Sequence, residues 1–127
     1  MAAKILIIED DKDLAEIYSK KLEGSGFSIS VVNDGQNGLI KTRSWKPDLI
    51  LLDLMLPQMH GFDVLAKLKE SAKTKKIPVI ILTNLNHILD EKKGYELGVS
   101  DYLIKVQTDV RQLPEIIKKH LKKAVKK

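Results

Sequence analysis

Residues 47–57 of the chain read Pro-Asp-Leu-Ile-Leu-Leu-Asp-Leu-Met-Leu-Pro. The run from Leu49 to Leu52 contains only leucine and isoleucine, which is typical of a strand covered on both faces in a parallel sheet. An aspartate, Asp53, follows the last of these apolar residues directly. The segment therefore predicts a buried strand that delivers a carboxylate to one edge of a sheet.

Four further apolar runs share this character and are separated by stretches with helical spacing. They are Ile5–Ile8, Ile29–Val32, Ile77–Leu82 and Val99–Ile104. The clearest helical stripe runs from Val110 to Ala124, with apolar residues three or four positions apart. Strand and helix alternate five times, which indicates one parallel sheet with helices on both faces. We therefore predict a three-layer α/β sandwich with five strands in the flavodoxin-like order 2-1-3-4-5 and five helices.

Length and composition restrict the class of protein. The chain has 127 residues, of which 43% are hydrophobic and 31% charged, and this fits one globular domain over residues 1–127. Because cysteine is absent, disulfides and thiolate metal sites are excluded. The sequence shows neither a secretory signal nor an apolar run long enough to cross a bilayer. We therefore expect a cytoplasmic protein without a membrane partner.

The net charge of +5 is concentrated at the C-terminal end. From Lys105 onward there are eight lysines and arginines against two acids. Most of these lysines lie opposite the apolar stripe of the last helix, as expected of a solvated face. Since aromatic residues are not interleaved with them, direct binding of nucleic acid is not expected. A weak attraction to an acidic partner or to nucleic acid is the alternative.

Polar side chains stand where the predicted strands end. They are Glu9, Asp10 and Asp11 after strand one, Asp53 after strand three, Thr83 ending strand four and Lys105 ending strand five. In the predicted order, strands one and three flank the point at which the strand order reverses, where ligands bind in such sheets. The carboxylates should crowd there and repel one another, and a divalent cation with oxygen ligands would relieve the repulsion. A hydroxyl and an ammonium beside them suit a phosphoryl group carried on a carboxylate.

Each of these residues also has a simpler explanation when it is taken alone. Acids after the first strand would stabilise the first turn of a helix through its dipole. Asp53 would be a turn residue ahead of Pro57, and Lys105 an ordinary surface lysine. The joint placement of the residues at converging strand ends favours the phosphoryl and metal site.

Five motifs in order carry a resemblance to a known family. They are Ile-Leu-Ile-Ile-Glu-Asp-Asp at 5–11, Pro-Asp-Leu-Ile-Leu-Leu-Asp-Leu-Met-Leu-Pro at 47–57, Gly61, Ile-Pro-Val-Ile-Ile-Leu-Thr at 77–83 and Gly-Val-Ser-Asp-Tyr-Leu-Ile-Lys at 98–105. Over essentially its whole length the chain resembles the receiver domains of two-component response regulators. The resemblance implies a stoichiometric phosphoacceptor rather than an enzyme. A histidine kinase or a phosphotransfer protein would donate the phosphoryl group to Asp53, with Mg²⁺ or Mn²⁺ as cofactor.

The resemblance also implies roles for the other residues of the site. The metal ligands would be Glu9, Asp10, Asp53 and the backbone carbonyl of Met55, and the phosphoryl contacts would come from Thr83 and Lys105. Tyr102 would be the aromatic residue whose rotation accompanies activation, with an ordinary half-buried strand aromatic as the alternative. Gly94, inside the helix predicted from His87 to Leu97, fits a moving segment of low local stability.

The surface that changes would be formed by the fourth helix, the fifth strand and the fifth helix. A downstream effector protein, a missing C-terminal output domain, or a second copy of the chain forming a dimer would bind there. The resemblance leaves open whether the chain is a stand-alone regulator or part of a longer protein.

Three positions depart from the usual pattern of the family. Lys105 is followed by Val106 instead of proline, and we expect a trans bond in an altered loop, since a cis bond before a non-proline residue costs about 2.5–4 kcal/mol. Asn84 is larger than the residues usual after the threonine and would narrow access to Asp53. His60 stands where Asp, Asn or Ser is common.

Met55 and Leu85 bear on the lifetime of an acyl phosphate. In the family, the residues two positions after the phosphoacceptor and two after the threonine influence this lifetime. Both are apolar here and neither could hold an attacking water, so we expect slow self-dephosphorylation.

Three other functions compete with this reading. An aspartate-based phosphohydrolase would need an acid at the position of Met55. A flavin-binding domain would need a Ser/Thr/Gly phosphate loop after strand one, where this chain has acids. A degenerate receiver that no longer accepts phosphate is the third alternative. The residues that argue against it are Asp10, Asp53, Thr83 and Lys105.

Overall fold

A computed structural model describes residues 2–125 of the chain. Strands and helices alternate regularly along it. In chain order they are β1 (Lys4–Ile8), α1 (Lys12–Gly24), β2 (Ser28–Val32), α2 (Gly35–Trp45), β3 (Leu49–Leu52), α3 (Gly61–Glu70), β4 (Val79–Thr83), α4 (Ile88–Glu96), β5 (Asp101–Ile104) and α5 (Leu113–Val125). Two short 3-10 turns, Lys105–Gln107 and Val110–Gln112, lie between β5 and α5.

The strands form one parallel sheet in the order β2-β1-β3-β4-β5. The register of β1 and β3 pairs Ile5 with Leu49 and Ile8 with Leu52, so the two strands end level with each other. The ends of β1 and β3 therefore lie side by side at the point where the strand order reverses. The predicted fold, an α/β sandwich with strand order 2-1-3-4-5, is confirmed.

Each face of the sheet has its own apolar core. Ile50 and Leu52 of β3 point into the core that contains residues of α2 and α3, whereas Leu49 and Leu51 point into the core that contains residues of α1 and α5. Neighbouring residues of a strand face opposite sides because the backbone is pleated. All four residues of β3 are buried, which confirms the interpretation of their unbroken apolar sequence.

The predicted starts of four strands differ from the structure: β1 and β2 begin one residue earlier, and β4 and β5 begin two residues later. β4 begins at Val79 instead of Ile77, because the N–H of Ile77 donates to the carbonyl of Thr74 and Pro78 has no N–H to donate. β5 begins at Asp101 instead of Val99, because the N–H of Val99 donates to the carbonyl of Gly94.

The end of β5 also differs from the prediction. The strand ends at Ile104, and Lys105 is the first residue of a 3-10 turn instead of the last residue of the strand.

The C-terminal lysines lie on the exposed side of α5, opposite the buried Leu113 and Ile117. The exposed lysines are Lys118, Lys119, Lys122 and Lys123. This confirms a solvated face for the part of α5 that the structure describes, while Lys126 and Lys127 lie outside the described residues.

The loop after β3 returns to the sheet through Gly61, the first residue of α3. The N–H of Gly61 donates to the carbonyl of Leu54 at 2.8 Å. A Cβ at this position would lie 2.5 Å from Cα of Leu54 and 2.6 Å from the carbonyl oxygen of Asp53. The absence of a side chain is therefore what lets α3 begin directly against the residues that follow β3.

Replacing Gly61 with alanine should lower the free energy of unfolding by about 1–3 kcal/mol, because the added methyl overlaps backbone atoms that have little room to move. Urea unfolding would measure the change. Gly24→Ala is the matched control, since no heavy atom lies within 4 Å of a Cβ at that exposed helical position. The control should be neutral or up to about 1 kcal/mol more stable. Equal stabilities of the two variants would contradict the packing argument.

Candidate metal centre

Three carboxylates meet at the C-terminal ends of β1 and β3. One oxygen from each of Glu9, Asp10 and Asp53 lies within 4.8 Å of the others. The N–H of Asp53 donates to the carbonyl of Ile8 at 3.1 Å, which fixes the end of β3 beside β1. Glu9 and Asp53 are buried, whereas Asp10 is exposed at the rim. The structure thus brings together the three acids that the sequence places at two strand ends.

Lys105 extends its side chain to two of these carboxylates. Its Nζ lies 2.5 Å from Oε1 of Glu9 and 2.9 Å from Oδ2 of Asp53. The strand order places β4 between β5 and β3, so the lysine side chain spans a whole strand to make these contacts. The bond between Lys105 and Val106 is trans, as expected. The altered loop therefore leaves the ammonium in contact with Asp53.

Burial dominates the protonation of the site. It raises the pKa of Glu9 to about 7, and the hydrogen bond from Lys105 lowers that pKa only in part. Burial alone would lower the pKa of Lys105, but hydrogen bonds to Glu9 and Asp53 outweigh it and the pKa is raised. The ammonium therefore stays charged at neutral pH, while the Glu9 carboxyl keeps its proton to a higher pH than an exposed glutamate does.

The donor set suits a hard divalent cation. Mg²⁺ prefers oxygen ligands and typically binds one or two carboxylates together with waters and phosphate oxygens. The three acids supply carboxylate oxygens, and exposed Asp10 leaves one side open. The N–H of Met55 donates to Oδ1 of Asp53 at 3.2 Å, so the backbone that carries the predicted carbonyl ligand lies against the same carboxylate.

Thr83 and Tyr102 are connected through Leu85. The hydroxyl oxygen of fully buried Thr83 accepts the N–H of Leu85 at 3.4 Å. The carbonyl of Leu85 accepts the hydroxyl of Tyr102 at 2.6 Å. Tyr102 is only 7% exposed, and burial raises the pKa of Tyr102 to about 12. The ring is therefore buried, with its hydroxyl held by the segment that follows β4.

Gly94 has a packing role that the sequence reading missed. It is the buried residue of α4, and a Cβ there would lie 3.0 Å from Cδ2 of Tyr102 and 3.2 Å from Cδ1 of Ile81. The bare backbone makes room for the ring of Tyr102 against α4. The sequence showed only the cost of glycine to the helix, because the contact depends on the packing of α4 onto the sheet.

The residues predicted to control access to Asp53 differ in exposure and contacts. The side chain of Met55 is 56% exposed, and Leu85 is partly buried against the core. Asn84 is exposed, and its Oδ1 accepts the N–H of Val106 at 3.2 Å. Its side chain therefore contacts the loop after β5, a contact that the sequence reading did not foresee. An effect of Asn84 on access to Asp53 stays a prediction.

His60, the third departure from the family pattern, is the N-cap residue directly before α3. Its Nδ1 accepts the N–H of Phe62 at 3.0 Å, and its ring stacks on that of Phe62 with centroids 5.1 Å apart. The imidazole thus supplies the N-terminal cap that Asp, Asn or Ser usually gives a helix.

Comparison with known sequences points to one family. The family model of the response regulator receiver domain matches residues 5–118. The DNA-binding dual master transcriptional regulator RpaA of Synechocystis sp. is 41% identical over 102 residues, which cover 80% of this chain and 42% of that protein. The chain thus spans less than half the length of this relative. None of the helices within residues 2–125 combines the length and the apolar character needed to cross a membrane.

Comparison with solved structures gives the same fold. A CheY-like response regulator receiver domain protein from Methanospirillum hungatei has a TM-score of 0.92 at 25% identity, covering 99% of this chain and 98% of its own. The phosphorylated cyanobacterial phytochrome response regulator RcpA has a TM-score of 0.79 at 30% identity, covering 94% of this chain and 91% of its own.

In the metal-free protein, the free energy of unfolding should fall as the pH rises through the range in which Glu9 loses its proton. The folded state keeps this proton up to a pKa of about 7, whereas the unfolded chain releases it near the ordinary value of 4.5. Because the folded state binds more protons between these values, stability declines with rising pH. Urea unfolding at a series of pH values in the presence of a chelator would measure the decline.

Glu9→Gln is the control for this titration. It lacks the ionisable group, so its stability should vary less steeply over the same pH range. Adding Mg²⁺ to the unsubstituted protein should recover stability at neutral pH, since the cation binds the ionised carboxylates of the folded state. The same pH slope in both proteins would show that Glu9 is not the titrating group.

Proposed function

The chain belongs to the response regulator receiver domain family, and from this premise we propose that Asp53 accepts a phosphoryl group in a two-component phosphorelay. The donor would be the phosphohistidine of a histidine kinase or of a phosphotransfer protein. The observation that carries the proposal is the position of Asp53, buried at the end of β3 beside two further acids and held by Lys105 at 2.9 Å. The whole chain, residues 1–127, would act as one receiver domain.

The transfer is a nucleophilic displacement at phosphorus. An oxygen of the Asp53 carboxylate forms the new P–O bond, the P–N bond to the donor imidazole breaks, and the leaving nitrogen takes up a proton. Such steps are accelerated mainly by positioning and by neutralising charge. The buried strand end fixes the carboxylate, and the ammonium of Lys105 is already within reach of the oxygens that would arrive on it.

Mg²⁺, or Mn²⁺, would be held by the acidic cluster and the carbonyl of Met55, and when bound it would neutralise charge on the phosphoryl oxygens. The buried hydroxyl of Thr83 would donate a hydrogen bond to one of these oxygens. The same hydroxyl oxygen accepts the N–H of Leu85 at 3.4 Å, so a movement of Thr83 would also affect Leu85.

The proposed switch involves the segment after β4. Pulling Thr83 toward a phosphoryl group would displace Leu85, whose carbonyl holds the hydroxyl of Tyr102 at 2.6 Å. Phosphorylation would thus change the relative populations of conformations of the α4-β5-α5 surface. Ile88 and Leu89 at the start of α4 are exposed apolar residues that a partner protein could cover.

The partner class follows from the proposed switch. A downstream effector protein, a C-terminal output domain in a longer protein, or a second copy of the chain would bind the α4-β5-α5 surface. One relative, RpaA, is named a DNA-binding regulator and is more than twice the length of the matched part. We infer that DNA contact, where it occurs, belongs to such an output domain and that the receiver itself acts in the cytoplasm.

Incubation with acetyl phosphate and Mg²⁺ should add one phosphoryl group to the protein, read by intact mass. Asp53→Asn should add none, because the amide is not a nucleophile for this reaction. Asp63→Asn, which alters an exposed acid in the first turn of α3, is the matched control and should behave as the unsubstituted chain. Absence of the mass increase in the unsubstituted chain, or its presence in Asp53→Asn, would overturn the assignment.

The phosphorylated form should lose its phosphoryl group slowly, over minutes or longer. Neither exposed Met55 nor partly buried Leu85 can hydrogen-bond a water molecule for attack on the acyl phosphate. Met55→Gln, which is similar in length but can hold water, should shorten the lifetime several-fold. Intact mass, followed over time after removal of acetyl phosphate, measures the lifetime of the phosphorylated form in both proteins. Decay within seconds in the unsubstituted protein would refute this expectation.

A further inference from the structure

One hydrogen bond joins the loops that follow β4 and β5. Oδ1 of Asn84 accepts the N–H of Val106 at 3.2 Å. Asn84 directly follows Thr83, and Val106 directly follows Lys105. The bond therefore connects the backbone next to the buried hydroxyl with the backbone next to the ammonium of the site.

The 3-10 turn Lys105–Gln107 needs an acceptor at its beginning. The first N–H groups of a helical turn have no partner within the turn. The residue that precedes this turn, Ile104, makes no side-chain cap hydrogen bond. Asn84 supplies the missing acceptor from the end of β4.

The other end of the turn is held by Thr108. Its N–H donates to the carbonyl of Lys105 at 3.2 Å, and its hydroxyl donates to the carbonyl of Ile104 at 2.8 Å. Thr108 and Asn84 thus fix the turn from opposite ends. The bond from Asn84 comes from the residue after Thr83, and it adds to the sheet ladder, which pairs Thr83 with Ile104.

Lys105 depends on the position of this turn because its side chain has little freedom. The side chain is 10% exposed, spans β4, and places Nζ 2.9 Å from Oδ2 of Asp53. A shift of the turn would move the backbone that carries this side chain and change the contact with Asp53. Hydrogen bonds weaken steeply once the donor and acceptor separate beyond their normal distance.

We propose that Asn84 is a positioning residue for phosphoryl acceptance, and that its hydrogen bond to the N–H of Val106 holds the turn that places the Lys105 ammonium on Asp53. The inference rests on the proposed function of Asp53. It also makes Asn84 a connection through which a displacement of Thr83 reaches Lys105, since one residue adjoins the hydroxyl and contacts the turn of the lysine.

Two substitutions remove the bond from opposite sides. Asn84→Ala removes the acceptor, and Val106→Pro removes the donor. Proline at this position also disfavours the helical backbone of Lys105. Asn84→Ala should slow phosphorylation by acetyl phosphate about five-fold, the factor that corresponds to the net value of one hydrogen bond. Adding Asn84→Ala to Val106→Pro should slow the reaction no further, because the bond is already absent.

Two variants separate positioning from general loss of structure. Asn84→Asp keeps an acceptor oxygen and should react faster than Asn84→Ala. Asn86→Ala alters another exposed asparagine of the same loop and should react like the unsubstituted chain. Hydrogen exchange measured by NMR should show a protected Val106 amide in the unsubstituted protein and loss of that protection in Asn84→Ala at an unchanged melting temperature.

The outcomes distinguish the two proposals. If the unsubstituted chain is phosphorylated, an Asn84→Ala variant that reacts at the same rate overturns the positioning role of Asn84. If the unsubstituted chain gains no phosphoryl group, the proposed function fails. The NMR signal of the Lys105 ammonium then decides the positioning role alone: a shift in Asn84→Ala that is absent in Asn86→Ala supports it, and an unchanged signal overturns it.

Discussion

The burial of carboxylates at one edge of the sheet is the constraint on which the site depends. The level register of β1 and β3 brings Glu9, Asp10 and Asp53 together, and the burial of Glu9 makes its ionised form costly. Lys105 offsets that cost by placing its ammonium between Glu9 and Asp53. A divalent cation would offset it in the same way from the open side. If Asp53 carries a phosphoryl dianion as proposed, the added negative charge would need this positive charge beside it.

The sheet fixes the strand ends, and single contacts in the loops that follow them position the side chains of the site. Gly61 lets α3 begin against the residues that follow β3, and Asn84 holds the turn of Lys105 from the end of β4. Each contact lies one or two residues from a group that would touch the phosphoryl oxygens. Loops carried on a stiff scaffold are a common location for function, because the scaffold fixes where they start.

The fold could be predicted from the sequence because a parallel strand that is buried on both faces consists almost entirely of apolar residues, as in Leu49–Leu52. The sequence predicted the grouping of the acids because strand order and strand ends together determine their neighbours. It misplaced the starts of β4 and β5, where backbone hydrogen bonds of Ile77 and Val99 set the boundary.

The bond between Asn84 and Val106 could not be foreseen, since it depends on how two loops from different strands meet. Seen in the structure, the two departures from the family pattern fit each other: a residue with an N–H at 106 meets a side-chain acceptor at 84.

The small number of buried residues in α4 suits this helix to a change of position. Gly94 is its one buried residue among the described positions, so the helix contributes little apolar side-chain surface to the core. Elements with few buried apolar contacts have low local stability and move at small cost in free energy. The ring of Tyr102 lies in the space that Gly94 leaves, and its hydroxyl bonds to Leu85 just before the helix. If Thr83 moves as proposed, the displacement would reach the segment before α4 through two hydrogen bonds, from Leu85 to Thr83 and from Tyr102 to Leu85.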